Sequence, residues 1–258
     1  MAQDQGIVIR RYRGGDQVEV LSLFSRCTLG HIRPAFLRGL RQTDNVGLAL
    51  GVAVAAAVLS GGSLWAVAGA CAAWVGLLLF LCWEVYAGYV RERLRSDMGD
   101  IEAHFLSHPD DCFWVAEAEV ASGSKVIVGM VAVTRWSGEV AEGEVRGHGE
   151  DEGVQERCRE GESERERPEQ EEGKVAQLFR MLVLPGWRRR GLGRRLAQTA
   201  LAFCSERGYS RVILETTTTQ VAALALYSTL GFQKTATSVP YLAMHPARIS
   251  VLRLEKPL

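Results

Sequence analysis

Over residues 46–85 the chain is an almost unbroken apolar run, with Cys71, Cys82 and Glu84 its only ionisable side chains. Ser60-Gly61-Gly62-Ser63 interrupts it. One bilayer crossing takes about 20 apolar residues; residues 64–83 supply that length and 46–59 fall short of it. The pattern predicts a segment that bends near the Ser-Gly-Gly-Ser break, as a membrane hairpin or a re-entrant loop. A buried pair of core helices is the competing reading, disfavoured because uncharged runs of this length are rare in soluble domains. Arg33, Arg38 and Arg41 precede the run, and Arg91, Arg93 and Arg95 follow it. Basic flanks on both sides argue that both ends lie on the cytoplasmic face.

Beyond residue 96 the rhythm is that of a folded α/β body. Residues 97–106 read as a helix, with Met98, Ile101 and Phe105 on one face. Residues 112–118 read as a strand, Ser122-Gly123-Ser124 as a turn, and 126–133 as the hairpin partner. Residues 177–184 form the next predicted strand, ended by Pro185-Gly186. Residues 192–207 carry Leu192, Leu196, Thr199, Ala200 and Phe203 at helical spacing and end at Gly208, a suitable cap. A strand over 211–216 and a helix over 221–230 closed by Gly231 complete the series. Strand, helix, strand, helix argues a mixed sheet with crossover helices. If residues 7–13 form a strand of that same sheet, the apolar run must leave and return on one side.

Charge changes the picture in one place. Formal net charge is zero, yet residues 139–172 hold 14 acidic and 5 basic side chains, leaving the remainder basic. From 137 to 173 scarcely any apolar residue occurs. Such a stretch cannot bury enough surface to offset its ordering entropy, so it is predicted to be a disordered acidic insert. The basic remainder suits an anionic ligand or lipid surface. The six cysteines are scattered with no C-x-x-C pair, which points to neither a zinc site nor a disulfide framework. The apolar triplet at residues 7–9 is too short for a signal peptide.

Candidate chemistry sits between the predicted strand at 177–184 and the helix that follows. There the chain reads Arg188-Arg189-Arg190-Gly191-Leu192-Gly193-Arg194. A helix start offers unpaired N–H groups and the positive end of its dipole, and glycine lets a phosphate approach the backbone without a Cβ. Arginine adds charge and forked donors, so the loop suits a diphosphate. It is neither a P-loop, lacking Gly-Lys-Ser/Thr, nor a dinucleotide fingerprint, since Leu196 stands where a third glycine is wanted.

The order strand, Arg-x-x-Gly-x-Gly, amphipathic helix, strand, then Leu226-Tyr227-Ser228-Thr229-Leu230-Gly231-Phe232 resembles the GNAT acetyltransferase superfamily. Within it, Leu178-Phe179, Arg189-Arg190-Gly191, Val212-Ile213-Leu214-Glu215-Thr216, Ala223-Leu224-Ala225-Leu226-Tyr227, Asp97-Met98-Gly99-Asp100-Ile101 and Cys112-Phe113-Trp114-Val115-Ala116-Glu117 are similar to the camello-like, or N-acetyltransferase 8, family. The acidic insert departs from that pattern. The resemblance implies a GNAT-type mixed sheet interrupted by the membrane segment. Residues 1–45 would hold its N-terminal strand and helix, 46–90 the membrane segment, and 91–136 with 174–258 the acetyltransferase domain around the insert at 137–173.

It also implies acetyl-CoA as cosubstrate, without a metal. The loop N–H groups from Arg188 to Arg194 would bind the pyrophosphate, and backbone at Met181, Leu182 and Val183 would pair with the pantetheine arm. Tyr227 would protonate the departing thiolate. The acceptor amine needs a base; Glu215, at a strand end beside the presumed cleft, is the first candidate and Glu117 the second. His31 and His104 lack recognisable partners and rank as structural or interfacial. The family's members are endoplasmic-reticulum membrane enzymes, so a small amine and the lipid bilayer are the expected partners and nucleic acid is not. Acetylation of a cysteine S-conjugate or other amino acid is the leading expectation; protein-lysine acetylation and a non-catalytic membrane adaptor are its rivals.

Overall fold

The computed structural model describes residues 6–120, 123–136, 174–238 and 249–258. Strand β1 (Val8–Arg11) leads into helices α1 (Gln17–Leu29), α2 (Ile32–Leu40), α3 (Thr43–Leu59), α4 (Leu64–Arg95) and the short α5 (Ile101–Phe105). Then come β2 (Cys112–Glu119), β3 (Lys125–Arg135), β4 (Val175–Val183), α6 (Leu192–Glu206), β5 (Arg211–Thr217), α7 (Val221–Thr229), β6 (Gln233–Ser238) and β7 (Val251–Pro257). The acidic insert expected at 137–173 lies outside the described residues.

All seven strands join one sheet in the order β1-β2-β3-β4-β5-β7-β6. Every pairing is antiparallel except β4 with β5. That parallel pair is joined through helix α6, as parallel strands require a long crossover. One face is covered by α6 and α7 through Leu192, Leu196, Ala200, Phe203 and Tyr227 against Ala176, Leu178, Val212 and Leu214. The other carries α1, α5 and the end of α4, with Val20, Phe24, Val90 and Phe105 against Phe113, Val115 and Met130. Gly129 lets α6 lie close: a Cβ there would stand 2.9 Å from Leu196 Cδ1 and 3.2 Å from the Leu182 carbonyl.

The apolar run forms an antiparallel helix pair. The chain turns at Ser60-Gly61-Gly62-Ser63, where Gly61 (φ +63°) and Gly62 (φ +88°) take the left-handed conformation that favours glycine. A bend of 67° separates α3 from the helices before it, and there the Asn45 amide donates to the Gly39 carbonyl at 2.7 Å. α4 is the one described helix long and apolar enough to cross a bilayer by itself, and only 6% of its apolar window is buried within the protein. At about 1.5 Å per residue it outruns the roughly 30 Å of a hydrocarbon core. Its last turns belong instead to the body, where Tyr86 and Val90 are buried. Since β1 pairs with β2, the chain leaves and rejoins one sheet around this hairpin. The helix expected over 97–106 contracts to α5, opened by the Asp100 carboxylate accepting from the Ala103 N–H at 2.9 Å.

Candidate active site

β4 and β5 pair only from Val175 with Arg211 to Leu178 with Leu214. Beyond Leu178, β4 continues to Val183 on its pairing with β3, and β5 continues to Thr217 on its pairing with β7. Their carboxyl-terminal halves therefore part, and main-chain groups that a neighbouring strand would claim face an opening. The register says which ones. The Leu184 N–H donates to the Val128 carbonyl at 2.9 Å, and main-chain groups alternate sides along an antiparallel ladder. Met181 and Val183 thus aim theirs into the gap, while those of Leu182 are turned to β3.

A bulge precedes these residues: the β3–β4 register shifts between Met130 and Ala132, and Arg180 adopts φ +50°. A non-glycine residue held there costs about 1–2 kcal/mol. The Arg180 side chain, 8% exposed, compensates. Its Nε donates to Asp97 Oδ2 at 2.8 Å, one Nη donates to the Tyr89 hydroxyl, and the guanidinium lies 5.7 Å from the Phe24 ring centroid. The end of α4 is thereby clamped to the strand that lines the gap.

The arginine-glycine loop closes one end of the opening. Gly191 caps α6 with φ +78°, and Arg189 is also left-handed at +63°. No atom lies within 4 Å of where a Gly191 Cβ would stand, whereas a Gly193 Cβ would meet Leu226 Cδ2 at 3.3 Å and Met181 Cε at 3.6 Å. The first-turn N–H groups of α6 have no intrahelical acceptor and sit beside the free edge of β4. Leu192 is core, so its side chain supports the turn and only its N–H is offered. Arg188 Nε donates to the Val183 carbonyl at 2.9 Å, and Arg190 stacks 4.9 Å from the Trp187 ring centroid. Arg194 is exposed, and Arg195 bonds the Ile7 carbonyl at 3.0 Å. From α7, the buried Tyr227 hydroxyl donates to Met181 Sδ at 3.6 Å, at the gap's edge. Burial pushes this phenol well above its ordinary range, so it is a proton donor at neutral pH.

The chain is similar to known proteins. The GNAT acetyltransferase family model matches residues 78–232. N-acetyltransferase 8B of Homo sapiens is 32% identical over 232 residues, covering 89% of this chain and 86% of that protein. N-acetyltransferase 8 of Mus musculus is 32% identical over 254 residues, covering 97% and 94%. A GNAT-family acetyltransferase from Staphylococcus aureus, 12% identical, superposes with a TM-score of 0.50 over 98% of this chain and 99% of that one, which speaks to the fold alone. The chain belongs to the N-acetyltransferase 8 family of GNAT acetyltransferases.

GNAT acetyltransferases use acetyl-CoA, and this N-acetyltransferase presents groups that fit it: N–H donors at a helix start, a backbone cradle free of Cβ at Gly191, and, on the edge of β4 that β5 leaves, the main chain of Met181 and the Val183 N–H. Replacing Gly191 by valine forces a β-branched residue into the left-handed region, at about 1–2 kcal/mol. Acetyl-CoA affinity is expected to fall about tenfold and the melting temperature by a few degrees at most, roughly 2–8 °C for that strain, as read by calorimetric titration and thermal unfolding. Unchanged affinity would separate the loop from the cosubstrate.

Both candidate carboxylates are ion-paired. Glu215 stands on β5 near the gap, but its Oε1 is held by Arg253 Nη2 at 3.0 Å and Nε at 3.3 Å. Glu117 lies on β2, tied to Arg10 at 2.7 Å and Lys125 at 3.0 Å, and these cations lower its pKa; it anchors β1. His104 is on α5, bonded to the Asp100 carbonyl. His31 and Tyr86 stack with ring centroids 6.1 Å apart. Together with Cys27 and Arg180 they line or support the gap in ways the residue pattern left unread. One sign was available: Arg180 breaks an apolar strand.

Proposed function

We propose that this N-acetyltransferase moves the acetyl group of acetyl-CoA to the primary amine of a small molecule, a cysteine S-conjugate or another amino acid. The carrying observation is the parting of β4 from β5 after Leu178, with the α6 start, Val183 and the Tyr227 hydroxyl disposed around one opening. In this reading the loop from Arg188 to Arg194 holds the diphosphate, and the main chain at Met181 pairs with the pantetheine arm. The Val183 N–H polarises the thioester carbonyl, and Tyr227 protonates the departing sulfur.

The mouth favours an acceptor with its own carboxylate. Arg38 donates to the Thr218 carbonyl at 3.0 Å and Arg188 to that of Val183, and among the described residues neither has a carboxylate partner. α2 and α4 also wall this side, which leaves less room for a peptide than an open groove requires. The α3–α4 hairpin would anchor the enzyme in the endoplasmic-reticulum membrane with the catalytic body on the cytoplasmic face, in keeping with the basic flanks.

Membrane-reconstituted protein supplied with acetyl-CoA and S-benzylcysteine, aspartate or a lysine peptide tests this reading. Turnover of an amino acid at least about tenfold above the peptide is expected. Preference for the peptide would make the enzyme a protein-lysine acetyltransferase, and failure to bind acetyl-CoA would make it an adaptor.

A further inference from the structure

Contacts from the end of α1 and from α4 bridge the parted ends of β4 and β5, and His31 stands between the two sets. On the β4 side, the Val183 carbonyl accepts from Arg188 Nε at 2.9 Å and from the Cys27 thiol at 3.7 Å. Cys27 lies in the last turn of α1 and His31 one turn further on, its N–H bonded to the Thr28 carbonyl at 3.1 Å. The half-buried imidazole then stacks on Tyr86 of α4. On the β5 side, the Tyr86 hydroxyl is 3.1 Å from Thr219 Oγ1, which is 2.8 Å from Thr217 Oγ1 at the end of β5. The imidazole therefore stands between the Tyr86 ring and the Arg188 charge, on the side of the opening that α1 and α4 close.

We propose that His31 accepts the proton of the acceptor's ammonium group, a role that rests on reading this cleft as the acetyl-transfer site. The alternatives around the mouth are engaged: Glu215 is committed to Arg253, and burial pushes the Cys27 thiol up, which keeps it protonated. The ionisable groups facing His31 are Arg188 from the loop, Tyr86 from α4 and Cys27 from α1, with Arg38 of α2 on the neighbouring Thr218 carbonyl. No described carboxylate offsets them. Burial first, and the Arg188 cation second, hold the imidazole below its ordinary pKa, so at pH 7 it is neutral and able to accept.

The ammonium gives one proton to the imidazole. The freed nitrogen lone pair forms the C–N bond at the thioester carbonyl carbon. The C–S bond breaks with its electron pair going to sulfur, which takes the Tyr227 proton. The second proton, shed by nitrogen as the amide forms, restores the phenol, and the imidazolium releases its proton to solvent.

The test compares wild type with His31→Gln on S-benzylcysteine, an ammonium at pH 7, and on its α-aminooxy analogue, a weak base already neutral at pH 7. The variant should bind acetyl-CoA normally and lose roughly 10²-fold in kcat on S-benzylcysteine at pH 7. It should recover as pH rises toward that of the free amine, and change less than about threefold on the aminooxy acceptor. Equal loss on both acceptors, or no loss, would overturn the assignment. Wild type provides a second readout that does not depend on the variant's folding. Its kcat should show an acid limb below the ordinary histidine range with S-benzylcysteine and none with the analogue. The same limb with both acceptors, or with neither, would also overturn it. Wild type that turns over neither acceptor would instead fail the small-acceptor reading, before His31 is in question.

Discussion

Tyr227→Phe is expected to lower kcat about 10²-fold or more while leaving acetyl-CoA affinity within about threefold of wild type, because a positioned general acid contributes roughly that much to turnover. The substitution removes one oxygen from a ring that is 5% exposed and packed edge-on to Phe232 at 5.6 Å, so shape is retained. The oxygen's described partner is a thioether, a weak acceptor; its loss strands no strong hydrogen-bonding group. Stability should therefore change little at neutral pH. The alkaline side differs. Burial raises the folded phenol's pKa above the unfolded value of about 10. Its contribution to stability is thus complete below about pH 10 and declines as pH rises through the folded value. The phenylalanine variant loses that part of the alkaline sensitivity. Steady-state kinetics with acetyl-CoA varied, alongside unfolding at pH 7 and above pH 10, checks both halves; wild-type turnover would remove Tyr227 from the chemistry.

Arg180→Ala is the substitution expected to cost most in stability, about 3–5 kcal/mol, the usual penalty for leaving one member of a buried ion pair alone. Arg180 is 8% exposed and Asp97 15%, so the stranded carboxylate has little water to turn to. Total stability of a domain is only about 5–15 kcal/mol, and a loss of this size should appear as a large drop in denaturation midpoint. The Arg180→Met, Asp97→Leu double substitution should be milder than either single one, since no charge remains buried. Chemical denaturation of the detergent-solubilised protein, arranged as a double-mutant cycle, measures the coupling. A purely additive cycle would mean the clamp between α4 and β4 carries no energy. Because Arg180 immediately precedes the free positions on β4, the milder double variant should also show weakened acetyl-CoA binding.

Several elements are written in the chain itself. A helix's apolar period and a strand's alternation are local, so α6, the β2–β3 hairpin, β4, β5 and α7 fall within a few residues of where the pattern puts them. The Ser60-Gly61-Gly62-Ser63 break is the turn between α3 and α4. The arginine-glycine loop is legible for the same reason, since Arg188 to Gly193 are contiguous and their place between strand and helix is a matter of order alone.

Other features depend on residues far apart in sequence. Residue order puts β6 before β7, yet β7 lies between β5 and β6, and no local period records that. Glu215 ends a strand, as a candidate base in the cleft should; that Arg253, 38 residues on, occupies its carboxylate is decided by β5 pairing with β7. Arg180 reads as an oddity in an apolar strand until Asp97 and Tyr89 arrive from the end of α4. His31 reads as partnerless until the fold brings Arg188, Tyr86 and the ends of β4 and β5 around it. Spacing within one segment is enough to read the elements, the apolar hairpin and the arginine-glycine loop from the chain. Which strands part, which charges are already paired and what surrounds His31 follow instead from packing between segments that the chain keeps dozens of residues apart.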